Sequence, residues 1–189
     1  MREQLKTYLI EQIGSEPPGL DAVLFYFEPL KYKRNELILS AGDICRHCNF
    51  IVKGCVQVFV YDKEGNEMTR DFVLENGWIM EVNSFAQQIQ ALENIRAVES
   101  TTLLAINYTA FQELMQKVPQ FELMYRKIME ASYSNSVFRL NTFLSMDALE
   151  RLRWVMEHQP SLMTRLSSKA IASYLGISAE TLTRLKAKL

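Results

Sequence analysis

The sequence predicts an α+β chain in three parts: a central block of short β-strands, a long helix, and a small helical domain at the carboxyl end. Three observations predict it. Gly42, Gly54, Gly65 and Gly77 recur at intervals of 12, 11 and 12 residues between short apolar runs, which is the turn rhythm of a β-sandwich or barrel. From Tyr108 onward the apolar period is helical, and neither Gly nor Pro interrupts residues 120 to 143. The last stretch, SSKAIASYLGISAETLTRLKAKL, holds two short helical patterns joined at Gly176. Boundaries are expected at 1–118, 119–145 and 146–189.

Residues 2 to 13 read as an amphipathic helix with Leu5, Tyr8, Leu9 and Ile13 on one side. Pro17 and Pro18 break it, and 20 to 27 is a second short helical piece. Strands are expected from Leu37 on: Leu37-Ile38-Leu39, Phe50-Ile51-Val52, the alternating run Val56 to Tyr61, the return strand Arg70 to Leu74, Ile95 to Val98, and Leu103 to Ile106. Asp62-Lys63-Glu64-Gly65-Asn66 is a polar hairpin tip. The aromatic set Phe25, Tyr26, Phe27, Phe50, Phe59, Phe72, Trp78 and Phe85 is expected in the core. Tyr108 to Lys117 is a helix, and Pro119 suits the first turn of the next. In that long helix Phe121, Met124, Ile128, Ala131, Asn135 and Phe138 follow a-to-d spacing. They are the expected seam of a parallel dimer, with packing on the chain's own β domain as the alternative. Asp147 to His158 is a further helix, with Leu149, Leu152, Val155 and Met156 as its apolar side and Pro160 as its end.

The terminal pair reads as a helix-turn-helix. Ile171, Leu175, Ile177, Leu182 and Leu185 form one apolar set, and Ala172 is small where two helices cross. Gly176 stops the first helix and Ser178 caps the second. Outside remain Ser178, Ala179, Glu180, Thr181, Thr183, Arg184, Lys186 and Lys188. Short polar residues followed by cations suit a first turn against base edges and flanks against phosphates. Residues 165 to 189 carry five Lys/Arg and one Glu, a local charge of +4 in a chain of net −1.

That near-neutral balance, with a pI near 6.2, excludes wholesale nucleic-acid coating but not one basic face. No apolar run reaches membrane-spanning length. Three cysteines make no complete disulfide set, which suits a reducing cytoplasm. Cys45-Arg46-His47-Cys48 is a single CxxC lacking further ligands, so no metal site is assigned and incidental thiols are the simpler reading. No P-loop, GxGxxG, GxSxG or HExxH occurs, and nothing makes a positive case for an enzyme or a catalytic residue.

GDICRHCNFIVKGCVQVFVYDKEGNE with its two glycines, and ISAETLTRLKAKL after ASYLG, resemble the CRP/FNR family of bacterial transcription regulators over nearly the whole chain. The compact form is similar to the short members common in Bacteroidetes. The resemblance implies a cyclic-nucleotide-binding-like β-roll (a double-stranded β-helix or jelly-roll), a dimerisation helix and a helix-turn-helix domain. It implies double-stranded DNA and a second copy as partners, with RNA polymerase a further candidate. The family's base-reading positions fall on Ala179, Glu180 and Arg184. Thr181, Thr183 and Lys186 are candidates for edge or phosphate contact, and Ser168 and Lys169 for phosphate.

The effector pocket departs from the family pattern. Cyclic-nucleotide binders carry a Gly-Glu pair before a short helix and an Arg-Ser pair after it. Here the matching positions are Met80-Glu81 and Ala91-Leu92, with Ser84 on the helix and Arg96 nearby. Without that guanidinium a cyclic phosphate is desolvated with no charge partner. The expectation is no cofactor, no cAMP in the usual manner, and an unidentified small-molecule effector or none. The alternative reading is a small-molecule sensor module whose helical tail contacts a protein.

Overall fold

The computed structural model describes residues 1–189 as two compact units, one of 1–58 with 72–131, the other of 59–71 with 132–189. The first begins with α1 (Arg2–Ile13) and α2 (Leu20–Phe25). Leu5 and Leu9 of α1, one turn apart, are fully buried. Eight strands follow: β1 (Glu28–Tyr32), β2 (Leu37–Leu39), β3 (His47–Lys53), β4 (Val56–Tyr61), β5 (Glu67–Val73), β6 (Trp78–Ile79), β7 (Asn94–Ala97) and β8 (Thr101–Asn107), with α3 (Val82–Gln87) after β6. They form two four-stranded sheets, ordered β1-β8-β3-β6 and β2-β7-β4-β5. β8 lies antiparallel between β1, with Leu30 opposite Leu103, and β3, with Phe50 opposite Leu104.

The β region thus starts at Glu28, earlier than the expected Leu37. β1 reads EPLKY, with no alternation and a proline. It is an edge strand, the one place in a sheet that tolerates Pro29. Val56, Gln57, Val58 and Phe59 of β4 are all buried, so this strand has a covered face on both sides rather than alternating in and out. Of the aromatic set, Phe27, Phe50, Phe59, Phe72 and Phe85 are buried, whereas Phe25 is exposed and carries the Arg2 guanidinium over its ring.

Gly54 turns β3 into β4 at φ +112°. A methyl group there would lie 2.4 Å from Thr101 Oγ1 and 2.8 Å from Thr101 Cα, and only glycine adopts such a φ without strain. Gly54→Ala should therefore cost about 3 kcal/mol or more. A urea midpoint unchanged from that of the parent protein would contradict this.

α4 (Tyr108–Lys117) and α5 (Pro119–Ser145) follow β8. Asn107 caps α4 through Ala110 N–H. α5 spans ~40 Å at 1.5 Å per residue and does not form a unit by itself: 119–131 group with the β-roll and 132–145 with the terminal helices. Phe121, Met124 and Ile128 lie buried in the core of the first unit, where Phe121 meets the Phe111 ring edge-on at 5.3 Å. This corrects the expected dimer seam. Those three side chains are spent on the chain's own fold, at about 1.5–3 kcal/mol each. Ala131 and Asn135 are exposed, and Phe138, partly exposed, stacks at a tilt on Trp154 at 4.9 Å.

The second unit adds α6 (Ala148–His158), α7 (Pro160–Arg165), α8 (Ser168–Leu175) and α9 (Ala179–Lys186). Asp147 and Glu150 form a capping box at the start of α6, which fixes its first turn. Leu152 and Val155 are its buried residues, while Met156 turns outward. Pro160 does not only end α6. It opens α7 at the first helical position, where its missing N–H costs nothing.

Candidate nucleic-acid interface and effector region

α8 and α9 meet as expected of a helix-turn-helix. Ile171, Ala172, Leu175 and Leu182 are buried. Ser167 caps α8 through Ala170 N–H, and Gly176 closes it at φ +68°. The N–H of Ile177 donates to Ala172 O at 3.0 Å, so the orphan carbonyls of the last turn are satisfied. Ser178 then accepts from Thr181 N–H at 3.1 Å to start α9.

Of the candidate contact residues, Ser168, Lys169, Ser178, Glu180, Thr183, Arg184, Lys186 and Lys188 are exposed, and Ala179 and Thr181 are half-buried. Three hydroxyls work within the helix. Ser178 Oγ donates to Thr181 Oγ1, and Thr183 Oγ1 donates to Ala179 O. Ser178 and Thr183 have thus spent their hydroxyl hydrogens, which lowers their worth as donors to phosphate, whereas Thr181 only accepts and keeps its O–H to donate. The Glu180 carboxyl is held below its usual range, by its own backbone N–H first and then by the Ser178 hydroxyl. An ionised acceptor therefore stands one turn before Arg184 on the same face of α9.

Two arginines that sequence reasoning missed position this pair. Arg139, on α5, donates through Nε to Arg70 O at 2.6 Å and through Nη2 to Tyr174 O. Its guanidinium lies 3.7 Å from the Tyr174 ring centroid and 4.9 Å from that of Phe143. Arg151, on α6, donates to Leu175 O at 3.2 Å and to Met146 O at 2.7 Å. Both cations thus sit at the carboxyl end of α8, where unsatisfied carbonyls and the helix dipole favour positive charge. Ser173 of α8 donates to Glu67 O at 2.5 Å and bonds the Thr69 backbone N–H at 2.9 Å. The first residues of β5 are therefore tied to α8. Apart from the bond to Met146 O, no local sequence signal carries these contacts, since the partners lie 24 to 106 residues apart.

Three of the six expected effector-pocket residues, Glu81, Ser84 and Arg96, are held in hydrogen bonds within the chain. The Glu81 carboxylate caps α3, accepting from Asn83 N–H at 3.2 Å and Ser84 N–H at 2.9 Å. Ser84 is fully buried, donates to Ile89 O and accepts from Cys45 N–H. Met80 and Ala91 are buried, and Leu92 is 78% exposed. Arg96 donates to Gln57 Oε1 at 2.6 Å. A cavity of about 410 Å³ does open in this unit, between β1, β2, the 40–46 loop, β3 and β7, but none of the six lines it. Sequence reasoning missed it because its walls come from four strands and a loop.

Cys45 and Cys48 are buried, and burial pushes both thiols up. Reactive thiols need the opposite environment. Iodoacetamide should label both sluggishly at neutral pH until the protein is unfolded in urea, and rapid native labelling would contradict the burial.

Comparison with known proteins agrees with this geometry. Residues 29–118 match the cyclic nucleotide-binding domain family. The chain is 22% identical to the cAMP-activated global transcriptional regulator CRP of Salmonella typhimurium over 178 residues, covering 89% of this chain and 85% of that protein. FixK2 from Bradyrhizobium japonicum superposes with a TM-score of 0.74 at 16% identity, covering 86% and 84%. The c-di-GMP responsive global regulator CLP of Xanthomonas campestris superposes with a TM-score of 0.72 at 17% identity, covering 95% and 89%. A β-roll of the cyclic nucleotide-binding type, followed by a long helix and a helix-turn-helix, defines the class. The chain has the CRP/FNR-type transcription-regulator fold. No helix is long and apolar enough to cross a membrane.

Proposed function

We propose that this chain is a homodimeric, sequence-specific DNA-binding regulator. One observation carries the reading: α9 is anchored by Leu182 while Glu180, Arg184, Lys186 and Lys188 all point to solvent. On duplex DNA, Arg184 is placed to bond a guanine edge bidentately and Glu180 to accept from a cytosine amine. Ala179 offers an apolar contact to a thymine methyl. Lys169, Lys186 and Lys188, with Ser168 at the start of α8, meet phosphates.

A second copy supplies the other half-site. The exposed half of α5 carries Tyr133, Val137, Leu140 and Leu144, which are 72%, 37%, 58% and 76% exposed. Their spacing of 4, 3 and 4 is that of a coiled-coil seam. This stripe replaces Phe121, Met124 and Ile128 as the dimer contact. Two recognition helices then enter successive major grooves about one helical turn apart. RNA polymerase is the partner through which such a protein would act on transcription. The chain is not set up for cAMP: Glu81 caps its own helix, and Ala91 and Leu92 stand where relatives of the cyclic-nucleotide-binding kind carry Arg and Ser.

Arg184→Ala should cost ~1–3 kcal/mol of specific binding and relax the preference at one base position. Gel shifts with duplexes selected from a random pool test it. An unchanged affinity and an unchanged selected sequence would remove Arg184 from the reading set.

A further inference from the structure

We infer that Ser173 is a positioning residue for DNA reading. Its hydroxyl clamps α8 to β5, and the clamp holds the two recognition helices to one half-site spacing, given the dimeric DNA-binding function proposed above. β5 is an edge strand of the sheet β2-β7-β4-β5, so one side of its backbone has no neighbouring strand. Glu67 and Thr69 lie two apart and turn their backbone groups to the same side. Ser173 meets both. Its Oγ donates to Glu67 O at 2.5 Å and accepts from Thr69 N–H at 2.9 Å. The Thr69 hydroxyl lies 2.8 Å away. Glu67 O can only accept, so the Ser173 proton goes there, and Thr69 Oγ1 donates to the Ser173 oxygen. One hydroxyl thus spends its single donor and both lone pairs on β5. Thr69 is 6% exposed, and bonds shielded from water in this way are the stronger for it.

These bonds close a triangle. Arg139 of α5 reaches Arg70 O on β5 and Tyr174 O on α8, and Ser173 joins β5 to α8. Arg139 stands between Val137 and Leu140 in the chain, within one turn of the proposed dimer contact. The bonds that Arg139 and Arg151 make to α8 end on carbonyls of its last turn, which point along the helix axis. They hold the end of the helix. The Ser173 side chain leaves α8 sideways, so its bonds oppose rotation about that axis. α9 turns with α8, because the two helices pack on one buried set, Ile171, Ala172, Leu175 and Leu182. A dimer gains from its second half-site only where both recognition helices engage at once. A fixed α8 restricts that gain to one spacing, and a loose one spreads it over several.

The test uses the full chain and the inverted-repeat duplex it selects from a random pool, with the spacer between half-sites then lengthened or shortened by one base pair. One base pair turns a half-site by about 34°. The parent protein should bind the altered spacers at least ~tenfold more weakly than the selected one. Ser173→Ala should bring that difference below ~threefold, with base preference inside each half-site as in the parent. Ser173→Cys, which keeps the shape but bonds weakly, should do the same, so the result does not hang on one variant. Ser173→Thr keeps the hydroxyl and should restore the parent's spacing preference. Without DNA, exchange of the Thr69 amide should quicken at least ~tenfold in Ser173→Ala, and an unchanged rate would overturn the clamp. Loss of affinity by one factor at every spacer, or a spacing preference kept by the Ala and Cys variants, would overturn the positioning role alone. A parent protein that selects no two-half-site duplex would overturn the dimeric reading and this role with it.

Discussion

Replacing Leu140 and Leu144 with glutamate should convert the protein to a monomer and weaken its hold on a two-half-site duplex at least ~100-fold. Linking two binding units typically adds a factor of 10²–10⁴ without any new contact, and that factor disappears with the dimer. The two leucines are among the most exposed apolar side chains of the molecule, so their replacement removes nothing from the chain's own core. Secondary structure and melting behaviour of the separate protomer should survive. Two acids facing two acids across a parallel seam, by contrast, oppose association. Sedimentation of the double variant gives the oligomeric state, and gel shifts give the affinity. A variant that still sediments as a dimer would move the interface elsewhere. The control is Phe121→Glu, which should unfold the first unit rather than dissociate a dimer, because Phe121 is buried among Phe111, Met124 and their neighbours.

Arg139→Met should destabilise the second unit by about 2–4 kcal/mol. The methionine keeps most of the volume between the Tyr174 and Phe143 rings but deprives Arg70 O and Tyr174 O of their donor. Hydrogen bonds to a charged group are worth about 1.5–3 kcal/mol, and the stacked guanidinium adds about 0.5–2. The loss is partly offset by not having to bury a cation: desolvation already lowers the Arg139 pKa, opposed by Tyr174 and Asp71. Arg139→Lys is a sharper comparison. It keeps the charge but lacks the planar fork that reaches two carbonyls while lying on a ring, so it should recover less than half of the stability. Hydrogen exchange of the α8 amides reads the effect locally. Exchange in α8 unaltered in both variants would show that the arginine does not hold the helix pair.

Where local chemistry decides, the sequence was readable. The stop at Gly176 and the start at Ser178 are short-range signals, and α8 and α9 lie where those residues place them. The apolar set of α8 and α9 was legible because a helix of period 3.6 has one way to bury it. β1 was not, since an edge strand with a proline has neither alternation nor a run of β-branched residues. α7 was missed because proline is read first as a stop, although at the first helical position it is a start. The long helix shows the deeper limit. Periodicity finds an apolar stripe but does not say whether the stripe meets the chain's own core or another copy, and the half of α5 that joins the core of the first unit ends near residue 131.

The site residues divide along the same line. Glu180, Arg184 and Lys186 of α9 were legible as outward residues, because what a helix leaves over after burying its core side follows from spacing alone. Arg139 and Arg151 were not, because they act on carbonyls contributed by distant segments. The expected pocket residues were chosen by their place in the chain, yet Glu81 and Ser84 turned inward to cap α3 and to bridge Cys45 and Ile89.

Selection of bound duplexes from a random pool by the full-length protein, followed by sequencing, tests the central claim most directly. The account predicts enrichment of a sequence with two inverted half-sites whose centres lie about one helical turn apart, bound by two protomers and released steeply as salt rises. A pool that stays random at low ionic strength, or one enriched for a single half-site bound by one protomer, would contradict it.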